Sequence, residues 1–182
     1  ETVGATVGRE LTQNALKSTA IAWALILVYI WIRFELKSGL AAIVALVHDV
    51  LIMISVAALL RTQINSSFIA AILTIVGYSI NDTIVIFDRI RENDKRFGRK
   101  LSKAEIVNTS INENISRSIN TSFTTLITVT AIYVLGVQSI KEFALPLLIG
   151  IICGTYSSIF IAGPLWALWN EDSSNKKLAT AK

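Results

Sequence analysis

Phe68-Ile-Ala-Ala-Ile-Leu-Thr-Ile-Val-Gly-Tyr-Ser-Ile-Asn-Asp-Thr-Ile-Val-Ile-Phe87 is a run of 20 residues with one charged side chain, Asp82. At about 1.5 Å rise per residue, a helix of this length crosses a hydrocarbon core about 30 Å thick. A carboxylate inside such a helix costs about 2.5–3.5 kcal/mol on insertion scales, so by default it marks an ion or proton pathway or a buried pair. What surrounds Asp82 therefore bears on both fold and function.

The rest of the chain has the same character. Of 182 residues, 53% are hydrophobic and 16% charged, against about 25% charged in soluble domains. Further apolar runs at 19–36, 40–60, 119–137 and 143–166 are each long enough to span. The expected fold is an all-α polytopic membrane bundle of five transmembrane helices. The single cysteine, Cys153, rules out an internal disulfide, and with the single histidine, His48, it rules out a Cys/His zinc site. The net charge of +4 does not point to nucleic acid, because the basic residues cluster beside apolar runs, as topology determinants do.

That clustering orients the bundle. Thirteen of the 17 lysines and arginines fall in the 33–38 turn, the 88–118 connection and the C-terminal tail. These segments are expected to be cytoplasmic, which leaves residue 1 outside with nothing in 1–18 to carry it across. The chain is therefore expected to be the C-terminal part of a longer one. Residues 1–18 are read as an external segment, 19–168 as the transmembrane domain and 169–182 as an irregular cytoplasmic tail.

The long 88–118 connection contains Ser102-Lys-Ala-Glu105, the pattern of a capping box. Val107, Ile111 and Ile115 then recur every four residues, which predicts an amphipathic helix on the cytoplasmic face, leading into the fourth span. Gly150-Ile-Ile-Cys-Gly154, continued by Ser157, Ser158 and Ala162, is a small-residue face for close helix packing, inside the bundle or toward a partner.

Four polar groups from three helices fall in the cytoplasmic half of the bilayer. Asp82 lies about 8 Å and His48-Asp49 about 13 Å from the ends of their spans, and Arg117 stands at the threshold of the fourth. Below Arg117, Thr121, Thr124, Thr125 and Thr128 form a stripe suited to a water file or to interhelical bonding. A buried carboxyl gains proton affinity by desolvation and loses it as a cation nears. An aspartate facing a movable arginine is thus a minimal proton-carrying element, and one charge crossing the membrane potential yields about 2.3 kcal/mol per 100 mV. Asp88, at the membrane border, reads as a solvated end charge.

Gly77-Tyr-Ser-Ile-Asn-Asp-Thr-Ile-Val-Ile-Phe-Asp-Arg-Ile-Arg-Glu-Asn93 resembles the signature of SecF in the SecD/SecF family of bacterial protein-export membrane subunits. Val7-Gly-Arg-Glu-Leu11, Arg33-Phe-Glu35, Ala45-Leu-Val-His-Asp49, Ser116-Arg-Ser-Ile-Asn-Thr-Ser122, Thr124-Thr-Leu126 and Gly154-Thr-Tyr-Ser-Ser-Ile-Phe160 agree with it in order. The resemblance implies spans two to six of a six-span protein of the resistance-nodulation-division superfamily, with a first span and a large external domain preceding them. It further implies a bacterial inner-membrane location, SecD as partner, assistance to the SecYEG channel, and use of the proton motive force to draw unfolded preprotein across. Protons would be the coupling ion, with no cofactor and no enzymatic activity. By residue match, Asp82 and Arg117 would carry protons, with Asp49 and His48 in support. Ser118 stands where the family usually has threonine, a departure that does not touch the proton argument on this reading. The rival expectation is a structural scaffold holding the translocon together. A third class, an intramembrane aspartyl protease, is disfavoured because its Gly-x-Gly-Asp motif is absent.

Overall fold

A computed structural model describes residues 35–98 and 100–180, with side chains to Glu171, and only scattered helical positions before Glu35. Four helices in it are long and apolar enough to cross a membrane. These are α1 (Leu36–Leu59), α2 (Ser66–Phe97), α3 (Lys103–Leu135) and a last helix running from Gln138 to Glu171. This last helix begins as α4 (Gln138–Ser157), passes through a π turn (Ser158–Ala162) and continues as α5 (Gly163–Thr180). The expected spans 68–87 and 143–166 lie within them, and 40–60 and 119–137 overrun α1 and α3 by one and two residues. The fifth expected span, 19–36, lies outside the described residues, as does the external segment 1–18, apart from scattered positions.

The helix ends follow local chemistry. α1 closes with Thr62 N–H bonded to the Ala57 carbonyl at 3.0 Å and Arg61 N–H to that of Ala58 at 3.2 Å. This is a Schellman arrangement with Arg61 at φ 53°, the left-handed position that glycine usually fills. Asn65 caps α2 by accepting the Phe68 N–H at 3.0 Å. The Ser102–Glu105 capping box forms in both directions, at 3.2 and 2.8 Å, and starts α3.

The 88–118 connection is not a loop. α2 runs on ten residues past Phe87, a short turn follows, and α3 begins at Lys103 and continues unbroken into the membrane stretch. The positions that the sequence assigns to a surface amphipathic helix form the first part of this continuous helix, and their apolar face is packed within the chain. Ile106 and Val107 are buried with Ile86, Phe87, Ile90, Ala162 and Trp166, and Ile111 and Ile115 pack against that cluster. The four-residue apolar period is satisfied by neighbouring helices rather than by a lipid surface. Each such side chain gains about 1.5–3 kcal/mol on leaving water.

Within the membrane stretch that gain is absent, and close packing with interhelical hydrogen bonds takes over. The small-residue face of α4 lies against α2. A Cβ on Gly150 would overlap the Ile75 side chain, and one on Gly154 would come within 3.0 Å of the Ser79 Cβ. Of the two arrangements the sequence allows for this motif, packing inside the bundle is the one formed. At the other end of the last helix, Lys37 donates to the Trp169 carbonyl at 2.8 Å and to Asn170 at 3.2 Å, tying α5 to the start of α1. The helical backbone runs on to Thr180 over residues expected to be irregular. No glycine or proline follows Pro164 to stop it.

Candidate functional site

Three helices converge on Asp49. The residue is wholly buried on α1. Its Oδ2 accepts hydroxyls from Ser79 of α2 at 2.7 Å and Ser157 of α4 at 2.8 Å. Its Oδ1 faces Nδ1 of His48 at 3.2 Å. The His48 ring is partly exposed beside Tyr156, with centroids 6.2 Å apart. This carboxyl is fully engaged, as a buried acceptor should be.

Asp82 is held differently. Its Oδ1 accepts the Ser118 hydroxyl from α3 at 2.7 Å. Its Oδ2 is buried with no hydrogen-bond partner among the described residues. Ser158 lies beside this carboxyl, but its own hydroxyl is taken up by Thr83 at 2.9 Å and the Gly154 carbonyl at 2.8 Å. A buried, unsatisfied polar atom costs about 1–3 kcal/mol, and more when charged. The open oxygen is therefore the one position in this cluster ready to take a proton, a water or an approaching cation.

The two acids share a scaffold without touching. Ser79 gives its hydroxyl to Asp49, while its carbonyl accepts Thr83 at 3.1 Å. Thr83 in turn meets Ser158. No hydrogen bond joins Asp49 to Asp82 among the described residues. A second polar link, Tyr78 to Ser122 at 3.2 Å and Ser122 to Thr155 at 2.6 Å, crosses α2, α3 and α4.

Arg117 is exposed on α3 and forms no ion pair with Asp82. The expected pair is not made in this conformation. Arg117 instead lines an open cleft between the extended ends of α2 and α3. The threonine stripe below it also faces outward. Thr124, Thr125 and Thr128 bond back to carbonyls of their own helix at 2.8–3.0 Å, and among the described residues their hydroxyls make no bond to another helix.

The hydroxyls that hold the acids, Ser79, Ser118 and Ser157, are the functional groups that the sequence reading leaves out of the site. Ser118 is the clearest case, because the departure read as neutral is the donor to Asp82. Its signal was its position. Ser118, Ser122 and Val129 recur on the buried face of α3, opposite the exposed stripe.

Beyond the apolar stretch, Arg89 binds Glu113 and Glu92, both at 2.6 Å, and Asn93 donates to Glu113 at 2.8 Å. The Arg89 hydrogen bond, followed by that of Asn93, holds the Glu113 carboxyl below its usual range. Lys103 meets Asp94 at 2.5 Å. Asp88, expected as a bare end charge, lines the cleft and has an interaction of its own. Among the described residues, no group of three His, Cys, Asp or Glu side chains is placed to hold a metal ion.

Residues 1–172 match the family described as "Protein export membrane protein SecD/SecF, C-terminal". The chain is 49% identical over 165 residues to the protein translocase subunit SecF of Sebaldella termitidis, covering 91% of this chain and 54% of that protein. It is 48% identical over 171 residues to the subunit of Koribacter versatilis, covering 94% and 42% respectively. The chain thus spans about half the length of the curated relatives it matches. Two crystal structures of SecDF share its fold. One, in a super-membrane-facing form, has a TM-score of 0.88 at 42% identity, covering 98% of this chain and 24% of that one. The other, a translocon-associated membrane protein from Thermus thermophilus, has a TM-score of 0.86 at 46% identity, covering 92% and 23%.

Proposed function

The chain belongs to the SecD/SecF C-terminal family of protein export membrane proteins and is membrane-embedded, and from that premise we propose that it is the membrane part of a SecF-type subunit coupling proton movement to protein export. Its partner on this reading is a SecD-type subunit, and together they would serve the SecYEG channel and an unfolded preprotein. The lysine- and arginine-rich ends of the helices face the cytoplasm of a bacterial inner membrane. The coupling ion is the proton, no cofactor takes part, and the subunit is a secondary-active device rather than an enzyme.

One observation carries this reading. Asp82 sits within an apolar span with one oxygen anchored by Ser118 and the other unsatisfied. A purely structural acid is held on both oxygens, as Asp49 is. Arg117 precedes Ser118, so a modest rotation or sliding of α3 exchanges hydroxyl for guanidinium at the carboxyl. With the arginine away, Asp82 carries a proton. With it close, the ion pair favours the charged form and the proton leaves. Asp49 and His48 act in support, fixing α1, α2 and α4 around that exchange.

Proton conductance tests it, using proteoliposomes that hold the complete chain and its partner. Wild type is expected to conduct under an imposed gradient, with Asp82→Asn and Arg117→Ala reduced to leak level. Equal conductance in all three contradicts the proposal. Loss of complex assembly in Asp82→Asn favours the scaffold instead.

A further inference from the structure

The cleft at the extended ends of α2 and α3 plays no part in the proton exchange beyond housing Arg117, and we infer that it is a binding site for the phosphate headgroup of an anionic phospholipid. The inference rests only on the chain being membrane-embedded, not on the proton reading. The cleft measures about 740 Å³ and is lined by five cationic side chains against two acidic ones. Its size is in the range of small-molecule sites, about 300–1,000 Å³.

The charges inside it are unevenly matched. Arg89 is already neutralised by Glu92 and Glu113. Lys95, Arg96 and Arg117 make no ion pair within 4.0 Å among the described residues. Arg96 acts on Glu113 and Arg117 on Asp82 at longer range, yet five cations against two acids around one concavity leave positive charge that an anion would offset. Asn114 adds a neutral hydrogen-bonding group to the wall. Guanidinium and ammonium groups in this arrangement suit phosphate oxygens.

Depth selects a lipid over a soluble anion. Val85, at one end of the cleft, belongs to the apolar stretch that closes at Phe87. Arg96 lies 11 residues further along the same helix, a rise of about 16 Å. The cleft therefore straddles the edge of the hydrocarbon and the headgroup layer, where lipid phosphate is already concentrated. Basic pockets between membrane helices at this level take anionic headgroups.

The test is native mass spectrometry of the complete protein with its partner, in mild detergent, titrated with phosphatidylglycerol and phosphatidylcholine. Wild type is expected to retain phosphatidylglycerol in clear preference. The Lys95→Gln/Arg96→Gln pair should lose about 30-fold in that affinity, near fivefold for each cation removed. A Lys176→Gln/Lys177→Gln pair in the tail should keep it. Equal retention of both lipids, an unchanged preference in the first pair, or an equal loss in the second overturns the site. Displacement of the lipid by an equimolar amount of glycerol 1-phosphate overturns the lipid assignment in favour of a soluble anion. Proton conductance of the Lys95→Gln/Arg96→Gln pair, measured separately, distinguishes failure of this site from failure of the coupling proposal.

Discussion

Ser118 donates to Asp82 across the α2–α3 contact at 2.7 Å, from the position directly after Arg117. Consecutive helical residues differ by about 100° in direction. The hydroxyl therefore meets the carboxyl while the guanidinium points to the outer face. On the proposed reading, hydroxyl and guanidinium are alternative partners for one acid, exchanged by movement of one helix. This makes α3, the least buried of the four long helices, the moving part in the proposed cycle.

Ser118→Ala is expected to remove the donor to Oδ1 of Asp82. A hydrogen bond between neutral groups is worth about 0.5–1.5 kcal/mol, so proton flux should fall by up to roughly tenfold. Ser118→Thr keeps the hydroxyl and should remain within about twofold of wild type. Proteoliposome flux of both variants checks this, and equal loss in the two would show that packing, not the hydroxyl, matters.

Asp49 should behave as an anchor. Ser79→Ala with Ser157→Ala strips both hydroxyls from its Oδ2. The expected cost is about 1–3 kcal/mol of stability, since hydrogen bonds between membrane helices are worth less than their buried setting suggests. Asp49→Asn retains a carbonyl acceptor and should keep measurable flux where Asp82→Asn keeps none. Unfolding in mixed detergent micelles, alongside flux, separates the two acids.

Gly150 offers a packing test. Its missing Cβ is occupied by Ile75, so Gly150→Ala should destabilise by about 1–3 kcal/mol through overpacking. Adding Ile75→Ala frees that space and should restore much of the loss. Failure of the second change to compensate would mean that the two helices do not meet as described.

Outside the membrane stretch, Glu113 supplies a pH dependence. Its carboxyl is held below the ordinary value of 4.5, chiefly by the Arg89 hydrogen bond. A group with a lowered folded pKa adds stability that is fully present above its unfolded pKa and disappears as pH falls through the folded one. Protection of residues 103–113 in hydrogen exchange, corrected for intrinsic rates, should therefore hold above pH 4.5 and decline below it. Glu113→Gln should flatten that dependence.

The spans were legible because insertion into lipid demands long apolar runs, and no soluble fold produces four or five of them in sequence. The capping box at Ser102 was legible because it is local. The acids were legible because a carboxylate in such a run is costly. The seryl ligands were not, since Ser79, Ser118 and Ser157 look the same in sequence whether they pack, bond to their own helix or reach an acid. The continuity of α2 through 88–97 was hidden by its charges, which mimic a solvated loop while Ile90 and Asn93 are buried. The outward turn of Arg117 was unreadable because depth along a helix is fixed by residue number, whereas the face it occupies depends on which neighbours pack there.

Infrared difference spectroscopy of the complete protein with its partner, across an imposed proton gradient, reads the central claim most directly. A protonated carboxyl band that appears and disappears with turnover, and is missing in Asp82→Asn, is the predicted result. A wild-type spectrum in which no carboxyl band attributable to Asp82 changes during turnover would contradict the account.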